Sequence, residues 1–143
     1  MGYGESSPPE VERIGKIIVD SAYYKVHSSL GPGLLESIYS ICLAYELRKR
    51  GLHVDREVVF PISYDGVQLD AGLRIDLLVE RTVVVETKSV EKVHPICEAQ
   101  VLTYLKLTNL PLGLLINFNV ALIKDGIKRV ILSRTRQSPG ETS

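Results

Sequence analysis

Two strand-like runs, the β-branched and mostly apolar Thr82 to Lys88 and the apolar Gly113 to Phe118, flank a segment that opens at Pro95 and reads as a helix to about Leu107. Strands separated by a helix of that length suit a parallel crossover, because antiparallel neighbours need only a short turn. The rest of the chain must be built around that unit. Upstream, Ser7-Pro8-Pro9-Glu10 has the form of a helix start, with Ser as the cap and Glu three residues on. Val11, Ile14, Ile17, Ile18, Ala22 and Val26 then recur at helical spacing to about His27, until Leu30-Gly31-Pro32-Gly33 breaks the pattern. A second helix is expected from about Leu34 to Arg50, with basic residues in its last turn and Gly51 as its stop.

The period then changes. Val54 to Tyr64 is extended in character and ends at the turn signal Asp65-Gly66, across which Val67 to Leu69 can pair back. Leu73, Ile75, Leu77 and Val79 alternate with Arg74, Asp76 and Leu78, and Ile127 to Leu132 supplies a last strand. The element order α-α-β-β-β-α-β-β predicts an α/β fold, a mixed β-sheet flanked by helices. At 143 residues the expectation is one domain over 1–143, with 1–8 and 134–143 frayed.

Charge narrows the function classes. Seventeen basic residues balance seventeen acidic ones, which argues against a non-specific nucleic-acid coat protein. A local basic cluster remains in Lys124, Lys128, Arg129, Arg134 and Arg136, and it fits a solvated edge strand and tail equally well. No apolar run approaches the roughly 20 residues that span a bilayer, so no membrane association is expected. Met1 to Pro9 lacks the apolar stretch of a signal peptide, and a cytoplasmic protein is expected. Cys42 and Cys97 are too few and too far apart for a zinc motif, and reduced, partly buried thiols are the expectation. None of the three histidines is assigned a role.

The chemistry-bearing pattern lies around the turn at Glu80-Arg81-Thr82. If the hairpin centres on Arg81, Asp76 falls opposite Glu86 and Arg74 opposite Lys88, with facing Cβ atoms about 5 Å apart on one face. Glu86 and Lys88 share that face, while Val83, Val85 and Thr87 point to the other. Two facing carboxylates repel unless something holds them, and a hard divalent cation such as Mg²⁺ does so. A cation held by Asp76 and Glu86, with the Thr87 carbonyl as a further ligand, can acidify a water that Lys88 orients or deprotonates. On spacing alone, the same four charged residues also fit a cross-strand ion-pair lattice.

A wider pattern separates these readings. Leu30-Gly31-Pro32-Gly33-Leu34-Leu35-Glu36-Ser37-Ile38-Tyr39 resembles the GxxExxY protein family, whose signature falls on Gly33, Glu36 and Tyr39. The likeness continues through Glu46 to Gly51, Asp76 to Val79, Glu86-Thr87-Lys88, Ala99-Gln100, Tyr104 to Lys106 and Gly113 to Phe118. The resemblance implies a restriction-endonuclease-like domain of the PD-(D/E)xK nuclease superfamily. It puts Asp76, Glu86 and Lys88 at the metal and catalytic positions, Glu36 at the acidic position of the first motif helix, and Gln100 on the helix after the core strands. The chain departs from the family's pattern at Cys97, where many relatives carry His, and at Thr87, where an aliphatic residue is usual.

Glu36 in a first turn also suits the helix dipole, and aimed at the sheet it could ligate a second metal or a metal-bound water. Tyr39 shares its face, and Gln100 with Tyr104 shares another, from which either could reach a phosphate or Glu86. The function expected is a nuclease using Mg²⁺, with Mn²⁺ as substitute, on nucleic acid, DNA ahead of RNA. The other reading is a non-catalytic accessory or binding protein that keeps the nuclease fold. A homodimer or a protein partner is expected to supply specificity to so small a chain.

Overall fold

A computed structural model describes residues 7–132, the Asp70 side chain excepted. The expected frayed ends and the basic residues Arg134 and Arg136 lie largely or wholly outside that range. Helix α1 (Pro9–Ser21) buries Val11, Ile14 and Ile18 and runs on through a π-helical turn (Ala22–His27) and a last turn (Ser28–Leu30). Ala22 and Val26 stay in the core through the wider turn, so the face read from the sequence is kept. The start differs in detail. Pro8 is the cap residue, and the Ser7 hydroxyl and N–H both donate to Glu12 (2.6 and 2.8 Å), whereas the capping-box reading had paired Ser7 with Glu10. Glu10 binds Arg13 instead, one turn along the exposed face.

After α2 (Glu36–Lys49) come strands β1 (Val54–Tyr64), β2 (Val67–Val79) and β3 (Val83–Lys88), helix α3 (Pro95–Thr108), β4 (Leu112–Asn117), a 3₁₀ turn (Ile123–Gly126) and β5 (Ile127–Ile131). This is the expected order. The sheet has five strands in the order β1-β2-β3-β4-β5, antiparallel throughout except for the β3–β4 pair, which α3 bridges as the crossover. The short return segment at Val67 is continuous with the strand carrying Asp76, in one β2. Among the described residues no helix is long and apolar enough to cross a membrane.

Two apolar layers sandwich the sheet. Helices α1 and α2 cover Leu77, Val79, Val83, Val85, Leu112, Leu114 and Ile116 on one side. Helix α3, through Val101, Tyr104 and Leu105, covers Leu73, Ile75, Leu78 and Val84 on the other. The single apolar face read for β2 is therefore wrong: Leu73 and Ile75 belong to the second layer, Leu77 and Val79 to the first. Side chains alternate strictly along a regular strand. Two residues of the same parity can enter opposite layers only if the ribbon rolls over between them, and Asp76 is the residue between. The partner strand marks the same place, because Glu57, between the paired residues Arg56 and Val58, has a positive φ of 54°.

Two residues of the basic cluster near the end of the chain, Lys128 and Arg129, are engaged in ion pairs. Arg129 binds Glu12 (2.9 Å) and Lys128 lies 3.7 Å from Glu98, which ties β5 to α1 and α3. The cysteines are free and partly buried, as expected.

Candidate active site

The β2–β3 hairpin turns about Arg81, with Val79 opposite Val83, Leu78 opposite Val84 and Leu77 opposite Val85. One further step of that register sets Asp76 against Glu86, and there the backbone ladder gives way to side chains. Asp76 N–H donates to Glu86 Oε1 at 3.2 Å. Asp76 Oδ2 accepts from Thr87 N–H at 2.9 Å and from the Thr87 hydroxyl at 3.0 Å. The strands part here, and each carboxylate replaces a backbone acceptor that the hairpin no longer supplies.

The sequence-based geometry needs two corrections at this point. Thr87 and Glu86 project to opposite faces of β3, so the Asp76 carboxylate reaches toward the side that carries Thr87, while Glu86 and Lys88 follow Val84 toward α3. Asp76 and Glu86 meet at the edge of the parted strands, not side by side on one face. Arg74 does not face Lys88, because the β2–β3 ladder has ended; its guanidinium pairs with Glu57 of β1. The proposed four-residue lattice is absent.

Electrostatics single out Glu86. Burial pushes its carboxyl up from 4.5 to about 7, and the charge of Asp76 adds to the shift. The Asp76 N–H and the Lys88 ammonium oppose it, and Glu36 adds a smaller upward push. Burial also raises the Tyr104 phenol, with further upward pushes from Glu86 and Asp76, so this core tyrosine lies within electrostatic reach of both acids. Gln100, one turn earlier on α3, is exposed and, among the described residues, makes no hydrogen bond to Glu86.

Glu36 is placed by local backbone constraints. Gly31 (φ 67°, ψ −173°) and Gly33 (φ 99°) adopt conformations that side chains disfavour, which lets the chain turn sharply into α2. Tyr39 then locks that turn: its hydroxyl donates to Gly31 C=O at 2.5 Å and accepts from Leu34 N–H at 3.0 Å, while its ring stacks on Phe118 at 4.5 Å. Tyr39 is fully buried and has no place in the site. Ser89, just after Lys88, donates to the Leu34 carbonyl and ties the same turn to the end of β3. Glu36 thereby lines an open cleft with Leu35, Ser37, Ser40, Glu57, Asp76 and Thr87.

Lys88 is fixed from the other side. Its carbonyl accepts from Phe118 N–H at 2.9 Å, and the buried Asn117 exchanges hydrogen bonds with Val90 N–H (3.1 Å) and C=O (2.9 Å). Sequence reasoning missed Asn117, Glu57, Ser37 and Ser40. Only Asn117 left a signal, as an amide closing an otherwise apolar strand.

The chain belongs to the PD-(D/E)XK nuclease superfamily, whose family model matches residues 12–130. Its mixed sheet flanked by helices is the restriction-endonuclease-like arrangement. No curated protein and no solved structure is a significant match to the chain. Nucleases of this superfamily typically use divalent metal ions. The residues present fit such an ion in kind, since hard cations prefer carboxylate oxygens, and Glu86 is a carboxylate that burial and Asp76 leave short of a compensating positive charge. Among the described residues, no three acidic, histidine or cysteine side chains stand together as a ready coordination set.

Proposed function

We propose that this protein hydrolyses phosphodiester bonds of nucleic acid with the help of a divalent ion, Mg²⁺ by preference and Mn²⁺ as substitute, with DNA ahead of RNA as substrate. The observation that carries this reading is the raised Glu86 carboxyl beside Asp76 and Lys88 at the point where β2 and β3 part. Asp76 and Glu86 are the ion's protein ligands in this reading. The Thr87 carbonyl joins them, because in an extended strand it leaves the same edge as the Thr87 N–H that meets Asp76. The bound ion would acidify water and polarise a phosphoryl oxygen.

Lys88 orients the attacking water or takes its proton, and its charge offsets that of the phosphate. Glu36 acts from across the cleft, on a second ion or through water. Gln100 and Tyr104, on the α3 side, are the groups to hold a neighbouring phosphate. The narrower likeness to the GxxExxY family is part of this reading, as are a cytoplasmic setting and specificity supplied by a second copy or another protein.

Cleavage of single- and double-stranded DNA and RNA, with Mg²⁺ or Mn²⁺, tests it. Asp76→Ala, Glu86→Ala and Lys88→Ala, each shown to be folded, should lose at least about a hundredfold in rate. A wild-type protein that binds divalent ions yet cuts nothing would give way to the accessory reading. Cleavage that persists in all three variants would leave these residues without the role given to them.

A further inference from the structure

The inward face of α2 carries Tyr39, Ser40, Leu43, Ala44 and Leu47. Four of these pack in the first apolar layer, and Tyr39 satisfies its hydroxyl on the Gly31–Leu34 turn. Ser40 is different. It is 5% exposed, lines the cleft beside Asp76, and its hydroxyl makes no hydrogen bond to any described residue. Serines within helices commonly bond back to the carbonyl four residues earlier. Thr103 and Thr108 on α3 do so, to Ala99 and Tyr104, and Ser40 does not. The Ser40 hydroxyl is open to the cleft and free to take a water there as its partner.

The surroundings specify that partner. The same cleft is lined by Asp76 from β2, by Glu57 from the kink in β1 and, one turn before Ser40 on α2 itself, by Glu36. Glu57 is held there by the Arg74 guanidinium. These acids do not converge as a coordination set. Spread carboxylates that share a cleft with a neutral hydroxyl suit a hydrated cation, whose waters donate to acceptors at a distance from the ion. Mg²⁺ behaves in this way, dehydrating reluctantly and keeping several waters.

We infer that Ser40 is a positioning residue for the water shell of a divalent ion held at Asp76, with Glu36 and Glu57 accepting from other waters of that shell. The inference rests on the metal-site reading above and extends it to the α2 wall of the cleft. Groups around the directly bonded ligands commonly change metal affinity by about 10–100-fold when removed.

Titration of the full-length protein with Mn²⁺, followed by calorimetry and by the proton relaxation of metal-bound water, provides the test. Ser40→Ala should bind Mn²⁺ about tenfold more weakly and alter the relaxation enhancement. Its metal-free thermal stability should equal or exceed wild type, because alanine is the better helix former and no protein hydrogen bond is lost. Ser40→Thr, which keeps a hydroxyl, should restore binding. Unchanged affinity in Ser40→Ala, or a loss that Ser40→Thr does not recover, would overturn the role of Ser40 while leaving the metal site intact. A wild-type protein that takes up no Mn²⁺ would overturn the site reading itself, and the inference with it.

Discussion

The two halves of β2 are one strand in name and two environments in fact. From Leu77 to Val79 the strand is paired on both sides, to β1 and to β3, and is nearly inaccessible to water. From Val67 to Arg74 it pairs with β1 alone, as an extended ribbon whose apolar residues include Val59 (60% exposed), Tyr64 (74%) and Val67 (59%). Asp76 and Glu57 mark the boundary. The inner half gives a fixed frame against which a carboxylate can be held, and the parting of the strands leaves polar atoms that the sheet no longer occupies. Chemistry placed one residue further in would be sealed in the core; a few residues further out it would ride on a ribbon with little holding it.

That contrast can be tested from its strongest side to its weakest. Leu77→Ala removes a fully buried side chain beside Asp76 and should cost about 2–5 kcal/mol in urea unfolding. A loss below about 1 kcal/mol would mean that the inner half is not the rigid member. Glu86 at the boundary works against stability when charged. Below its ordinary value of 4.5 the carboxyl is protonated in folded and unfolded chains alike. As pH rises from there through about 7, the unfolded chain ionises first and the folded state loses stability, roughly 3 kcal/mol in all. Glu86→Gln should therefore be the more stable protein at pH 8 and converge on wild type near pH 4. Parallel pH profiles for the two would show that Glu86 is not the buried acid described. Divalent-ion affinity of the wild type should rise over the same interval, since the ion competes with the proton.

A third variant tests the helix that faces the boundary. Tyr39→Phe keeps the stack on Phe118 but leaves Gly31 C=O and Leu34 N–H without the hydroxyl, at a cost of about 1–3 kcal/mol. If Glu36 depends on that turn, the ion affinity should fall with it; unchanged stability and affinity would free Glu36 from the turn. Val67→Ala, on the outer ribbon, should change stability by no more than about 0.5 kcal/mol. A loss comparable with that of Leu77→Ala would erase the difference between the halves.

Much of this was readable before any coordinates. Helical and strand periods gave the order of elements, the length between β3 and β4 gave the crossover, and counting from Arg81 gave the register that brings Asp76 to Glu86. The readings that failed in the sheet share one cause: each assumed that a strand keeps its face. Leu73 and Leu77 look equivalent in an alternating sequence, yet they enter different layers. Arg74 looks opposite Lys88 by the same count, yet it pairs with Glu57. Tyr39 sits three residues from Glu36 and seemed to share its site, but its hydroxyl serves the backbone behind it.

The sequence by itself determined what depends on near neighbours along the chain. Glycines at Gly31 and Gly33 permit the turn into α2, period fixes which residues are helical or extended, and the Glu-x-Lys spacing puts Glu86 and Lys88 on one side of β3. Only the tertiary structure decided where β2 rolls over, that Glu57 and Ser40 join Asp76 in one cleft, and that Glu86 is buried deeply enough to hold its proton to about neutral pH. The physical reason is range. Backbone preference acts over a few residues, whereas desolvation and charge depend on what the packed sheet and three helices bring within several ångströms of one another.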